Sequence, residues 1–279
     1  MPDGRWITSQ STGKGEIIFS TSQDQGQSWQ EISRLGKQLG TTDLRLWSPE
    51  LLRDGSLIVS LTAVYWKGGV EPGIETWLTG WEDVKTLFYR STDGGGSFEE
   101  PSVIGQWTHE VNASELPSGR LIATIRYQRP LLPSDPPNIL VVTGAQRHRH
   151  AFPYKHVFVA DSTDGGQSWS AVRQVTTECG QCHGHSIGLT DGRVVMVYDH
   201  RYPRAMSSAR AVVSDDEGQT WRDEVYFLSN GRSTAGFARS ISLDNLEMLT
   251  LTGYSDGETH TFESATGATQ FQVIRWSLE

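Results

Sequence analysis

Lysine is scarce in this chain: five of its 24 basic residues are Lys and the other 19 are Arg. Cysteine is scarcer, with two in 279 residues, and no apolar run approaches the length needed to span a membrane. Each shortage excludes something. Two cysteines cannot staple a disulfide scaffold. With 33 acidic against 24 basic residues, the net charge of −9 argues against nucleic acid as a general partner. The start, Met1 to Ile7, has no basic n-region and no apolar h-region, so the chain as it stands reads as cytoplasmic, or as secreted if an upstream segment is missing. Helical spacing is absent as well. The cations present are forked guanidinium groups suited to carboxylates, so local anion sites remain compatible with an acidic whole.

Against these absences stands a repeat. Ser22-x-Asp24-x-Gly26-x-Ser28-Trp29 returns as Ser91-x-Asp93-x-Gly95-x-Ser97-Phe98, as Ser162-x-Asp164-x-Gly166-x-Ser168-Trp169 and as Ser214-x-Asp216-x-Gly218-x-Thr220-Trp221. A period of this order means an array of small structural units. The Asp side chain can accept from backbone N–H groups in a turn, Gly supplies a positive φ, and the aromatic ring has the size to fill a gap between units.

Each copy follows a second repeated element, two apolar runs around a tight turn: Asp54-Gly55, Ser118-Gly119, Asp191-Gly192 and Asp244-Asn245. A dipeptide such as Asp-Gly between apolar runs signals a β-hairpin. Each unit therefore reads strand A, turn, strand B, loop, strand C, Asp motif, strand D, and four antiparallel strands repeated around a ring predict an all-β propeller occupying 1–279 as one domain. Five units are expected here, two of them incomplete. The first begins at its turn, Asp3-Gly4, and the last ends on a C-like strand near Phe271, so a further N-terminal blade is expected outside this chain. The Pro-rich piece from Pro130 to Pro137 reads as a long loop inside one unit.

With the A–B turns on one side, the starts of the A strands and the ends of the B strands share the opposite rim. That rim gathers Trp47, Tyr65, Trp66, His109, Glu110, Arg126, Tyr127, His183, His185, Asp199, His200, Arg201, Phe237, Arg239 and Tyr254. A funnel of aromatic and ionic groups suits a carbohydrate, whose rings stack and whose hydroxyls meet charges. The competing reading is that ionic groups at strand ends only solvate the rim.

The Asp motifs resemble the Asp-boxes of the sialidase superfamily of glycoside hydrolases, over nearly the whole chain. That resemblance implies a six-bladed propeller and assigns Asp24, Asp93, Asp164 and Asp216 a structural role away from the active site. A sharper match is Glu110-x4-Glu115-Leu116-x-x-Gly119-x-Leu121-x4-Arg126, which is similar to a sialidase segment in residue type and spacing. By resemblance Glu110 is the base that activates a tyrosine, and Arg126 is one of three arginines holding a sialic acid carboxylate. The chemistry is coherent, because a phenol is a weak nucleophile near neutrality without a carboxylate to take its proton. The family's tyrosine position holds Phe237, and Tyr254 on the partner strand is the substitute. The third arginine position falls on Met206, with Arg204 and Arg210 displaced candidates. The family's first arginine and acid/base aspartate belong to the blade expected outside this chain.

Cys179-x-x-Cys182-His183 fits a haem-attachment spacing, and His185 adds a fourth possible metal ligand. The default is a local disulfide or two thiols, and no cofactor or metal is expected. His183, His185, His200 and Arg201 also crowd one rim segment, where a histidine acid/base could replace the tyrosine chemistry. The expected function is thus a sialidase-like hydrolase acting on an acidic sugar through Glu110, Tyr254, Arg126, Arg204, Arg201, His185, His200 and Phe237. The alternatives are a non-catalytic propeller that binds a glycan or protein, or a histidine-based polysaccharide hydrolase or lyase. No membrane partner is expected.

Overall fold

A computed structural model describes residues 1, 3–41, 43–47, 49–69, 81–142, 154–200, 208–229, 238–255 and 269–278. These residues form five antiparallel sheets in chain order. The first holds β1 (Trp6–Ser11), β2 (Ile17–Ser22) and β3 (Gln30–Leu35). The second holds β4 (Asp43–Leu46), β5 (Glu50–Leu51), β6 (Leu57–Trp66), β7 (Trp81–Ser91) and β8 (Ser102–Gln106). The third is β9 (Thr108–Glu115), β10 (Leu121–Gln128), β11 (Lys155–Ser162) and β12 (Arg173–Gln174). The fourth is β13 (Gln181–Gly188), β14 (Val194–His200), β15 (Ser208–Ser214) and β16 (Tyr226–Phe227). The fifth is β17 (Arg239–Ser242), β18 (Glu247–Ser255) and β19 (Thr269–Ser277). In the second sheet both β4 and β5 pair with β6, one inner strand interrupted around Pro49, which has no N–H to give a ladder.

The hairpin signals fold alike. Leu52, Leu116, Leu189 and Leu243 each donate a backbone N–H across the turn, to Ser56, Arg120, Arg193 and Glu247, at 2.8 Å in all four. The Pro-rich connection contains one short helical turn, α1 (Ile139–Val142). No described helix is long and apolar enough to cross a membrane.

The continuous apolar runs of the second strands are explained by burial on both faces. On β6, Val59 and Leu61 pack toward the first sheet with Ile17 and Phe19, while Ile58 packs toward the third with Val111 and Ile125. On β10, Ile122 faces Val159 and Met196 between the third and fourth sheets. On β14, Val195 and Val197 face Met248 of the fifth. Four cores thus separate five sheets, each built from neighbouring pairs. The sequential stacking places the inner strands β9, β13 and β17 against one another in turn.

The Asp motifs are the outer staples of this array. In each, the Ser hydroxyl donates to Asp Oδ1 at 2.7–2.8 Å, and the residue four beyond the Asp donates its N–H to the same oxygen at 2.8–2.9 Å. The Gly N–H donates to the Ser oxygen with φ between 85° and 90°, a conformation open chiefly to glycine. The Gly carbonyls face the preceding sheet: Ser33 Oγ donates to Gly95 O at 2.5 Å, Ser102 Oγ to Gly166 O at 2.5 Å, and Arg173 Nη2 to Gly218 O at 3.2 Å.

Candidate functional site

Two matching irregularities build the site. Between the pairs His109↔Arg126 and Asn112↔Thr124, two residues of β9, Glu110 and Val111, oppose Ile125 alone. Between Cys182↔Asp199 and His185↔Val197, His183 and Gly184 of β13 oppose Tyr198 alone. These are β-bulges, which turn a side chain out of the strand's normal alternation. Glu110 has φ 46° and His183 has φ 53°, so both stand in the left-handed region that costs a non-glycine residue about 1 kcal/mol or more. Gly184 has a different constraint. A Cβ there would lie 2.3 Å from Thr124 Cγ2 of the third sheet, so only glycine lets the two sheets approach.

The bulges bring four charged or titratable groups together in a buried cluster. Glu110 contacts Arg126 Nη1 through one carboxylate oxygen and His183 Nε2 through the other. His183 Nε2 also lies 3.1 Å from Arg126 Nη1, and its Nδ1 lies 3.2 Å from Asp199 Oδ2. Arg126 is completed by Gln128, whose amide oxygen accepts from Nε at 2.9 Å and from Nη2. Exposure is 6% for Glu110, 7% for Arg126, 3% for His183 and 0% for Asp199, so this constellation is shielded from bulk water. With carboxylate oxygens on both ring nitrogens, His183 donates through both only as imidazolium. Next to it, His109 is fully buried and held well below the usual histidine range, first by burial and then by Arg126 and Arg45, so its ring is neutral. Its Nε2 lies 3.2 Å from Gln128 O.

The arrangement is a carboxylate gripped by a guanidinium and by an imidazole that a second carboxylate backs. It can accept a proton at Glu110 and hold the charge distribution fixed while it does so. Of the residues named from the sequence, Glu110 and Arg126 lie in direct contact. His200 lies elsewhere. Successive residues of a strand point to opposite faces, and its Nδ1 is 3.4 Å from Glu178 Oε2 while Asp199 turns to His183. Arg210 joins the same Glu178 at 3.1 Å and covers the Phe227 ring. His185 faces the next sheet, where Ser240 N–H donates to its Nδ1 at 3.3 Å. Tyr254 stands in β18 opposite Gln270. Arg201, Arg204 and Phe237 lie outside the described residues.

Several rim aromatics have structural duties. Trp47 Nε1 donates to Thr62 Oγ1 at 3.0 Å, Trp66 Nε1 to Asp43 Oδ2 at 3.0 Å, and Tyr127 stacks on Phe158 with centroids 4.6 Å apart. Cys179 and Cys182 are both thiols, with Cys179 pushed up chiefly by burial. Among the described residues no group of three His, Cys, Asp or Glu side chains is placed to hold a metal ion. Sequence reasoning placed His183 and Asp199 on the rim without seeing that they complete the Glu110 cluster, and it missed Gln128. A usable signal existed: counting six back from Leu116, Leu189 and Leu243 lands on Glu110, His183 and Phe237, one equivalent position in three units.

No family model and no curated protein matches this chain. Solved structures do. The α-L-arabinanase of Penicillium chrysogenum, solved with arabinobiose, aligns with a TM-score of 0.59 at 15% identity over 90% of this chain and 72% of that one. A Hadza microbial sialidase, Hz136, aligns at 0.54 and 15% over 92% of this chain and 43% of its own. The xylan β-1,4-xylosidase of Bacillus halodurans aligns at 0.55 and 13% over 97% of this chain and 50% of its own. The chain has a propeller-like fold. It spans about half of the sialidase and xylosidase structures, and identities this low speak to the shared architecture alone.

Proposed function

We propose that this protein is a sialidase-like glycoside hydrolase acting on an acidic sugar at the rim that carries Glu110. The observation that supports this reading is the buried Glu110 carboxylate, fixed by Arg126 and by the His183–Asp199 pair on two successive bulges. A strained, desolvated and fully oriented carboxylate is costly to fold, which is the usual mark of a functional site. In this reading Glu110 takes the proton of the attacking hydroxyl, with Tyr254 of β18 as the hydroxyl donor, and Arg126 orients Glu110. Arg126 has every guanidinium nitrogen engaged, by Glu110 and Gln128, so its role shifts from clamping the substrate carboxylate to holding the base. The Asp motifs are Asp-boxes in the same reading, structural staples on the opposite side, and six-bladed closure belongs to it as well.

The test is a panel of 4-methylumbelliferyl glycosides including sialosides, uronides, arabinosides and xylosides. Turnover of an acidic glycoside is expected, and Glu110→Gln should lower it at least about 100-fold, the low end for a general base, with the melting temperature of the variant monitored. Turnover that survives Glu110→Gln in a folded protein would remove the assignment. Glycan binding without any turnover would leave a non-catalytic carbohydrate-binding propeller.

A further inference from the structure

A second polar group lies two residues further along the inner strands. Counting four back from Leu116, Leu189 and Leu243 gives Asn112, His185 and Arg239, and the structure brings all three together with Glu50 of β5. Arg239 Nη2 donates to Asn112 Oδ1 at 2.5 Å, and Asn112 Nδ2 donates in turn to Gly184 O at 3.0 Å. A guanidinium carries five N–H donors. Among the described residues its one acceptor is this neutral amide, and no salt bridge joins Arg239 to Glu50. Burial holds Arg239 below the usual arginine range, and burial likewise pushes the Glu50 carboxyl up to about 7 against the pull of Arg239. Arg239 is half-buried, and beyond this amide its fork keeps N–H donors that a planar anion could take.

His185 adds a second donor. Burial and then the nearby Arg239 charge push it down to about 3, so its ring is neutral at physiological pH. Its Nδ1 accepts from Ser240 N–H, which leaves the ring proton on Nε2.

We propose that Arg239, His185 and Asn112 form a binding site for a ligand carboxylate between β5, β9, β13 and β17, with Glu50 as its intramolecular competitor. A planar carboxylate matches the guanidinium fork, and its single charge is repelled less by Glu50 than a doubly charged phosphate is. That the carboxylate belongs to a sugar rests on the hydrolase reading; the anion site itself does not. Among the described residues, the titratable or charged groups facing Arg239 are Glu50 from β5 and His185 from β13. As Glu50 gains its proton below neutrality the competing charge disappears, so binding strengthens on acidification.

Calorimetric titration with sodium glucuronate, sodium N-acetylneuraminate, sodium phosphate and glucose at pH 6 and pH 8 tests this. At least one carboxylate should bind about tenfold more tightly at pH 6 than at pH 8, the span that titrating one competitor near neutrality allows, with glucose and phosphate weaker. Arg239→Gln should weaken carboxylate binding at least about tenfold, a single lost charge-assisted pair, and Glu50→Gln should flatten the pH dependence. Unchanged affinity in folded Arg239→Gln, a preference for phosphate, or no carboxylate binding by the wild type overturns the site. Should Arg239→Gln fail to fold, a pH dependence that persists in Glu50→Gln overturns it equally. A protein that binds in this way but hydrolyses no glycoside sinks the hydrolase reading alone.

Discussion

Two arginines on one rim show how the partners of a side chain decide its work. Arg126 is enclosed by Glu110, His183 and Gln128, while Arg239 has a single amide among the described residues. The sequence distinguishes neither, since both are arginines near the ends of apolar strands. What separates them is the Gln two residues beyond Arg126 on the same face of β10, and the distance of Glu50 from Arg239. Glu50 also makes a prediction about stability. A carboxyl raised on folding from 4.5 to about 7 contributes stability that is complete below pH 4.5 and is lost as pH rises through 7. Glu50→Gln removes the ionisation, so the variant should gain on the wild type between pH 4 and pH 8 by up to about 3 kcal/mol, the equivalent of that shift. Melting temperatures across this range measure it, and a wild-type-to-variant gap that stays constant with pH contradicts the burial of Glu50.

The elements divide into those the sequence displays and those it conceals. Hairpins around Asp54-Gly55, Ser118-Gly119 and Asp191-Gly192 were legible because turn residues between apolar runs leave a local mark, and the same holds for the Ser-x-Asp-x-Gly motif. The bulges were not. Their strained residues are Glu110 and His183, which carry no glycine flag, and the bulge exists because a strand of the neighbouring sheet fits against it. Gly184 is the trace that remains in the sequence, and it is read only once Thr124 is known to press on it. Thr124 is held in turn, its Oγ1 lying 2.6 Å from Ser186 Oγ in a fully buried position. Gly184→Ala should therefore destabilise by about 1–3 kcal/mol, as overpacking does elsewhere. It should also lower turnover beyond the loss of folded protein, because His183 precedes it directly. A variant that melts like the wild type would mean that the third and fourth sheets can part at no cost.

At the scale of the molecule, the first four sheets are joined by one motif used repeatedly, and its chemistry predicts how the array fails. The four motif aspartates are each lowered to about 2, first by the hydroxyl of the Ser or Thr four residues on and then by that residue's backbone N–H. A carboxylate lowered on folding contributes stability that is present above the ordinary value near 3.8 and is lost as pH falls through 2. The array should accordingly loosen between about pH 4 and pH 2, with all four staples weakening over the same interval. Asp164 ties Ser162 to Ser168 and so shapes the turn whose Gly166 carbonyl receives Ser102 of the preceding sheet, and Trp169 Nε1 bonds that same Ser102 Oγ at 3.0 Å. Asp164→Ala removes both the turn's acceptor and the geometry that presents Gly166, a loss of about 1–2 kcal/mol at neutral pH on the usual net value of such bonds. The melting temperature should fall by a few degrees at pH 7, and the deficit should shrink toward pH 2, where the wild-type carboxylate is itself protonated. Turnover per folded molecule should stay as in the wild type, since the motif lies on the outer strands and the Glu110 cluster on the inner ones. A deficit that persists undiminished at pH 2 would assign the motif's stabilisation to packing of its glycine and tryptophan instead of its aspartate.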